Sequence, residues 1–474
     1  MQIGKTLAVM LSFATAPLFA QNAQQPSVQP GMVPGVVPGM VMENSSPNQP
    51  RQNPSPELLQ GVASRPPLSL EDFLAMVDRN NPTLQQAAAI VRRSEAEARQ
   101  AALYPNPTVG YQGEQIRGGS YGGGEQGGFV AQTIVLGGKL GLRHNIYEQQ
   151  KQSDQIAAEA QLLRVHNDVA QMFYNALGAQ ETVLVRGRLL GLATDAAETA
   201  HQLANVGQAD APDVLQAEVE MEQAEIDYTV AQRMFMQRFN RLAALAGSPA
   251  VEVSPLNAAL DSPPAIDTSQ VVDTIVRQGP TVKQAQQEVA VAEARLKDAK
   301  REAVPDLELK AGEQSNLEAL PDAPGKKTGA QSFASAGIEL PLWNRNQGNV
   351  RAAEANLDRA RQEVLRTQLS LRQQAELLVA NYLSAKVEAE RYRTALLPRA
   401  RRAYELYLDK YQNMAQAYPQ VIVSQRTLFE LEVHYINSLN RTWQNAIALQ
   451  NYTLQGGLQT PPAVDYSSSA QATE

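Results

Sequence analysis

The sequence predicts a mainly α protein with a small β part, in which long coiled-coil helices are interrupted by two short strand hairpins. Three observations carry this. Residues 141–206 and 342–397 contain no proline and repeat apolar side chains every seven positions. The stretch GGSYGGGEQGG at 118–128 holds seven glycines in eleven positions and no aliphatic side chain. Ordering it would cost much backbone entropy and bury little. The third observation is an internal repeat, in which 80–111 parallels 278–309, Pro82 matches Pro280 and Pro105 matches Pro305.

In chain order, MQIGKTLAVMLSFATAPLFA (1–20) has a lone Lys5, an apolar run and small residues, the shape of a secretory signal peptide. Residues 21–68 read as an exposed proline-rich linker, since ten of the 28 prolines lie between Pro26 and Pro67. Met32, Met40 and Met42 lie within it and read as methionines of a disordered tail. The first structural repeat covers 69–250, a linker 251–267, the second repeat 268–457 and a polar tail 458–474.

Each repeat opens with a helix of about twenty residues ended by its proline. Strands are expected at 107–116 and 129–137, then at 306–313 and 332–340, with the breaker-rich loop 315–329 between the second pair. Val109, Tyr111 and Val135 are candidates to face lipid. Beyond each hairpin the heptads begin. Ile156, Leu163, Ala170, Leu177 and Leu184 mark the first long helix, and Val350, Leu357, Val364, Leu371, Leu378, Ala385 and Tyr392 the second. The returning helices show Val214, Met221, Tyr228, Phe235 and Leu242, then Ile422, Phe429, Ile436 and Trp443. Such a sustained repeat means helices packed side by side along a supercoil.

With 474 residues and a net charge of −8, the chain gives no support to a nucleic-acid partner. It has no cysteine, hence no disulfide, thiolate site or lipid-bearing N-terminal cysteine. No transmembrane helix is expected. Four strands can cross an outer membrane only within a closed barrel, and known single-chain barrels begin at about eight strands, so copies must combine.

The strand-to-helix junctions TIVLGGKLGLR (133–143) and IELPLWNRNQGNVRAAEANL (338–357), with the helix tip NVGQADAPDVLQAE (205–218), resemble the TolC-like outer-membrane efflux proteins, the outer membrane factors. The likeness spans about 69–455, and the glycine pattern of GGEQGGF and GGK is similar to the metal-efflux branch. It implies a homotrimer with a twelve-strand barrel in outer-membrane lipid and a helical tunnel through the periplasm. It also implies an exit duct docked to a periplasmic adaptor and an inner-membrane pump of the resistance-nodulation-division type.

The docking tips would then be Gly207, Asp210, Pro212 and Asp213 in one repeat, and Met414, Pro419 and Gln420 in the other. Met414 stands where the first tip has Gly207, and Gln420 where it has Asp213. Gln420 and Val423 occupy the places where the family often rings its periplasmic entrance with acids. Asp213 also has an ordinary explanation, as a carboxylate in a helix's first turn after Pro212.

Catalytic chemistry is not called for. His144, His166, His201 and His434 show no metal-ligand spacing, and Gly137-Gly138-Lys139 lacks the rest of a phosphate loop. No cofactor, metal or catalytic residue is expected. The competing readings are a periplasmic adaptor and a structural coiled-coil envelope protein without a channel, neither of which accounts for two repeated strand hairpins.

Overall fold

A computed structural model of the protein describes residues 64–116, 124–207, 209–320, 322–323, 325–412 and 418–459. The signal peptide and the linker methionines lie outside them. Two repeats of one plan follow each other. The first has Leu70–Asn80 (α1), Pro82–Ala101 (α2), Thr108–Glu114 (β1), Glu125–Ile134 (β2), Lys139–Asn205 (α3) and Ala211–Leu245 (α4). The second has Val271–Gln278 (α5), Pro280–Arg301 (α6), Leu307–Ala319 (β3), Lys327–Ile338 (β4), Gln347–Arg391 (α7), Leu397–Gln412 (α8) and Tyr418–Gln450 (α9). A π-helical turn, Tyr392–Leu396, joins α7 to α8. It takes up the hydrogen bond that Pro398, lacking an N–H, withholds, so the helix carries on through the proline.

The sequence reading opens each repeat with the twenty-residue helix and misses α1 and α5, which are separate helices, each set off from the next by a proline. Asn81 ends α1 and caps α2, its Oδ1 accepting from the Thr83 N–H at 2.9 Å while its Nδ2 donates to the Leu245 carbonyl at 3.0 Å. Pro82 then occupies the first helical position, where its missing N–H costs nothing.

The main core gathers where the short helices meet the long ones. Phe73 of α1 lies edge-on between Phe173 of α3 and Phe239 of α4, with ring centroids 6.1 and 5.9 Å away. Such pairs contribute about 0.5–1.5 kcal/mol each beyond the area they bury. Tyr174 stacks on Trp443 at 3.6 Å, and the indole N–H donates to the Leu260 carbonyl at 2.7 Å, so both repeats share this core. A second cluster, with Ile275, Val282, Ala375 and Tyr382, repeats the arrangement in the other half.

The connecting segments are tied down here as well. Leu256 and Leu260, within the stretch read as an inter-repeat linker, are buried. Leu68 bridges to Leu256, and Arg65 donates to the Val253 carbonyl, so the proline-rich segment ends in packed structure. Near the other end of the described chain, Gly456 and Gly457 donate their N–H groups to Asp168 at 2.9 and 2.6 Å. Burial pushes the Asp168 carboxyl up, while those two N–H groups and Arg164 pull it back.

Helix α3 runs 67 residues, about 100 Å at ~1.5 Å per residue. The heptad positions of α4, of α7 with the π-turn's Tyr392, and of α9 are all buried or half-buried. In α3 the stripe drifts: Leu184 is 56 % exposed, and Phe173, Ala176 and Val183 carry the contact instead. A straight helix drifts about 20° per heptad, so a strict seven-residue reading fails along so long an element. Helix α7 begins at Gln347 rather than at 342, because Asn346 takes a left-handed φ of 61° and closes a turn first.

Candidate functional site

All four strands form one sheet in the order β1-β2-β3-β4, every neighbour antiparallel, and the β2–β3 pairing joins the two repeats. The strands reach further into the glycine-rich segments than the sequence suggests. Strand β2 starts at Glu125, so Gly127 and Gly128 belong to the strand, and β3 and β4 take up part of the 315–329 loop. Glycine is needed there for closeness: a β-carbon on Gly127 would collide with the Glu313 carbonyl oxygen. The remainder of the first loop, 117–123, lies outside the described residues.

Cross-strand register sorts the side chains into two faces. Val109, Val130, Ala311 and Ala334 stand in one row, with Leu307, Ile134 and Ile338 in another on that same face. This mostly apolar face, which also carries Gln126, Gln132, Glu313 and Ser315, is the uncovered one: Val109 is 77 % exposed and Tyr111 69 %. Val135 falls one residue past β2 and is half-buried, so Val130 takes the lipid-facing role instead. The opposite face carries Gln112, Glu114, Glu125, Lys310, Gln314, Asn316 and Gln331, and most of these are half-buried or buried. A water-soluble sheet covers its apolar face. This sheet does the reverse, the pattern of a barrel wall with lipid outside and water within.

Two aromatics punctuate the polar face. Phe129 lies over Gly110 and Phe333 over Gly312, where a β-carbon would come within 2.6–2.8 Å of the ring. Lys310 places its Nζ 4.1 Å above the Phe129 ring and donates to the Gln112 side chain. Towards the loop end, Glu125 accepts from Gln314 at 2.5 Å and Asn316 at 2.9 Å.

At the other end of the strands the helices attach. Gly137 and Gly138 both have left-handed φ, 70° and 73°, and turn the chain from β2 into α3. Lys139 follows, only 3 % exposed, and reaches the second repeat at Asp306 (2.9 Å) and Glu302 (3.9 Å). Burial works against the ionised Asp306, yet the Leu136 N–H and Lys139 outweigh it and hold that carboxyl below its ordinary range. The Gly-Gly-Lys run is therefore a strand-to-helix turn whose buried lysine pairs with the half-buried Asp306.

The far ends of the long helices are the sequence-predicted tips. Gly207 follows α3 with φ 73°, its N–H donating to the Ala204 carbonyl. Asp210 stands at the N-cap of α4 without a side-chain cap bond, and Pro212 and Asp213 lie in the first turn. All four are exposed. In the second tip Pro419 and Gln420 are exposed in the first turn of α9, Val423 is 53 % exposed, and Met414 lies outside the described residues. Arg426 and Glu220, 3.7 Å apart, bring α9 beside α4 just behind the tips. Farther up, Glu432, its side chain 11 % exposed, takes Arg188 of α3 at 2.8 Å and Arg401 of α8 at 3.3 Å, tying the two helical pairs together.

Among the described residues no three His, Asp or Glu side chains gather as a metal site, and no helix is long and apolar enough to cross a membrane. His166 pairs with Asp78 and His201 with Glu218.

A sheet with one exposed, mostly apolar face and one polar face, mounted on helices of such length, has the build of a wall segment in a membrane-crossing duct. The chain belongs to the outer membrane efflux protein family, whose model matches residues 74–248 and 271–453, one segment per repeat. It is 26% identical over 388 residues to the cobalt-zinc-cadmium resistance protein CzcC of Cupriavidus metallidurans, covering 81% of this chain and 89% of that one. It is 25% identical to the nickel-cobalt-cadmium resistance protein NccC of Alcaligenes xylosoxydans over 64% of this chain and 68% of that one. Among solved structures, the fold matches CusC with a TM-score of 0.67 at 18% identity, covering 82% of this chain and 92% of that one. It matches the outer-membrane channel CmeC of Campylobacter jejuni at 0.66 and 15%, covering 83% and 87%. The protein is thus an outer-membrane efflux channel reaching into the periplasm, of a family that works with an adaptor and an inner-membrane pump. The adaptor and channel-less coiled-coil readings fall with that match.

The turn of the first tip is legible in the sequence because Gly207, Pro212 and Asp213 stand at fixed spacing between two heptad runs. The lumenal group of Lys310, Phe129 and Gln112 is not, because it exists only through cross-strand register.

Proposed function

We propose that this channel is a homotrimeric exit duct for divalent transition-metal cations, fed by an adaptor and a pump of the resistance-nodulation-division type. The observation that carries the duct is the inverted sheet with two unpaired edges, β1 and β4, which calls for further copies to complete a barrel. The cargo class rests on the metal-resistance relatives. The exposed tip residues Gly207, Asp210, Pro212, Asp213, Pro419 and Gln420 are the surface offered to the adaptor, with Met414 in the same turn by sequence. Gln420 and Val423 line the periplasmic entrance, which then carries no carboxylate of its own at those positions.

Deleting the gene in its host tests this. Tolerance to cobalt, zinc and cadmium should fall and cellular metal should rise, with tolerance to organic antibiotics unchanged. A strain that loses antibiotic tolerance and keeps metal tolerance would overturn the cargo assignment.

A further inference from the structure

The polar face of the sheet is layered in charge along the strand direction. At the helix-bearing end it shows Glu308, opposite Thr133 and Gly337. Next comes Lys310, in a row with Ala131 and Ser335, and then the Phe129–Gly312–Phe333 row. Beyond Gln112, Gly127, Gln314 and Gln331, the loop end presents Glu114 opposite Glu125. The Lys310 ammonium therefore lies between an inner layer of one carboxylate and an outer layer of two per copy, and Lys327 follows on the same face at the loop end of β4.

Lys310 is not free to swing out of the way. Its Nζ is fixed over the Phe129 ring and donates to Gln112, so the charge is displaced outward along the strand, towards the middle of the wall. Cation–π contact and a hydrogen bond from one ammonium restrict a side chain that otherwise keeps high rotamer freedom. The ring beneath is itself seated on Gly110, which leaves it nowhere to retreat.

We propose that Lys310 sets the charge selectivity of the barrel lumen, and that its role is to keep cations moving. This rests on the exit-duct reading above. Carboxylate layers on a lumen wall attract cations and raise their local concentration. A conducting path must also release what it attracts, so binding has to remain weak at every layer. A fixed ammonium between the acidic layers raises the energy of a cation crossing from one to the other. It thus lowers the dwell time of a divalent ion at the acidic layer on either side. Without it, the wall would hold its own cargo.

The test uses purified, assembled protein in planar bilayers under a KCl gradient, with the K+/Cl− permeability ratio read from the reversal potential. Lys310→Gln should raise the ratio by about twofold or more, Lys310→Glu should raise it further, and Lys310→Arg should leave it unchanged. Millimolar zinc should block the Gln and Glu variants more strongly than the wild type. A ratio unchanged in both variants, in channels that open as the wild type does, would overturn the proposal and leave the duct intact. Wild-type protein that assembles and never conducts would instead sink the duct reading, and this one with it.

A second readout does not depend on those variants. The chain has no cysteine, so Lys310→Cys introduces the sole thiol. A charged, membrane-impermeant thiol reagent should reach it and shift the same ratio, whereas Val130→Cys on the opposite face should be protected by lipid. Labelling of Val130→Cys with protection of Lys310→Cys would reverse the two faces and refute the assignment.

Discussion

At Gly207 the backbone turns with φ 73°, and the space a β-carbon would enter is empty. The glycine is therefore required by conformation, not by crowding, and a β-branched residue there pays roughly 1–2 kcal/mol for a left-handed backbone. That is too little to unfold a chain anchored by the Phe73–Phe173–Phe239 cluster, and enough to reshape a short exposed turn. Gly207→Val should reach the outer membrane at the wild-type level while metal tolerance drops to that of the deletion strain. Wild-type tolerance in this variant would argue against docking through the tip. The same position shows what a sequence discloses at this scale. A glycine before a helix start, with Pro212 and Asp213 at the right offsets, announces its own geometry. Lys310 announces nothing, since its partners Gln112 and Phe129 lie far away in sequence and meet it only in the folded sheet.

Among elements, the hairpin of β1 and β2 separates two uses of glycine that look alike in the sequence. The run 118–128 was expected to be a loop throughout, yet its last four residues, from Glu125, are strand. Gly127 permits a backbone approach that a methyl group would block at the Glu313 carbonyl. Overpacking of this kind costs about 1–3 kcal/mol in a well-packed region. Gly127→Ala should therefore lower the yield of assembled, heat-resistant oligomer, measured by gel mobility before and after boiling. Removing four residues from 118–123 should leave that yield nearly unchanged, because loop length enters closure entropy only logarithmically. Equal loss in both variants would mean that the loop braces the barrel. Periodicity was a better guide for helices than composition was for strands. The heptads of α7 and α9 predicted their buried faces, and α3 escaped only where helical drift accumulates. Strand ends were misplaced because glycine signals a turn and a tight pairing with the same letter.

For the whole molecule, the decisive feature is what one copy leaves unfinished. Strands β1 and β4 each have a single partner, and every unpaired backbone group in hydrocarbon costs several kcal/mol. Pairing the β4 edge of one copy with the β1 edge of the next removes both costs and keeps the alternation antiparallel. The helices carry a matching deficit. Leu215, Val219, Ile226 and Val230 form an exposed apolar stripe on α4, and Leu365, Leu369, Leu383 and Val387 another on α7. Their spacing is that of coiled-coil seams awaiting a neighbour. Two copies would close only eight strands, a width filled by side chains, whereas three give twelve and leave a lumen. Native mass spectrometry in detergent should therefore report three chains per particle. Ile226→Lys together with Leu369→Lys should convert much of that population to smaller species while the helical circular-dichroism signal persists, because both side chains point away from the copy's own core. A wild-type particle of one or two chains would leave β1 and β4 unpaired or the lumen closed, and the duct would have no wall.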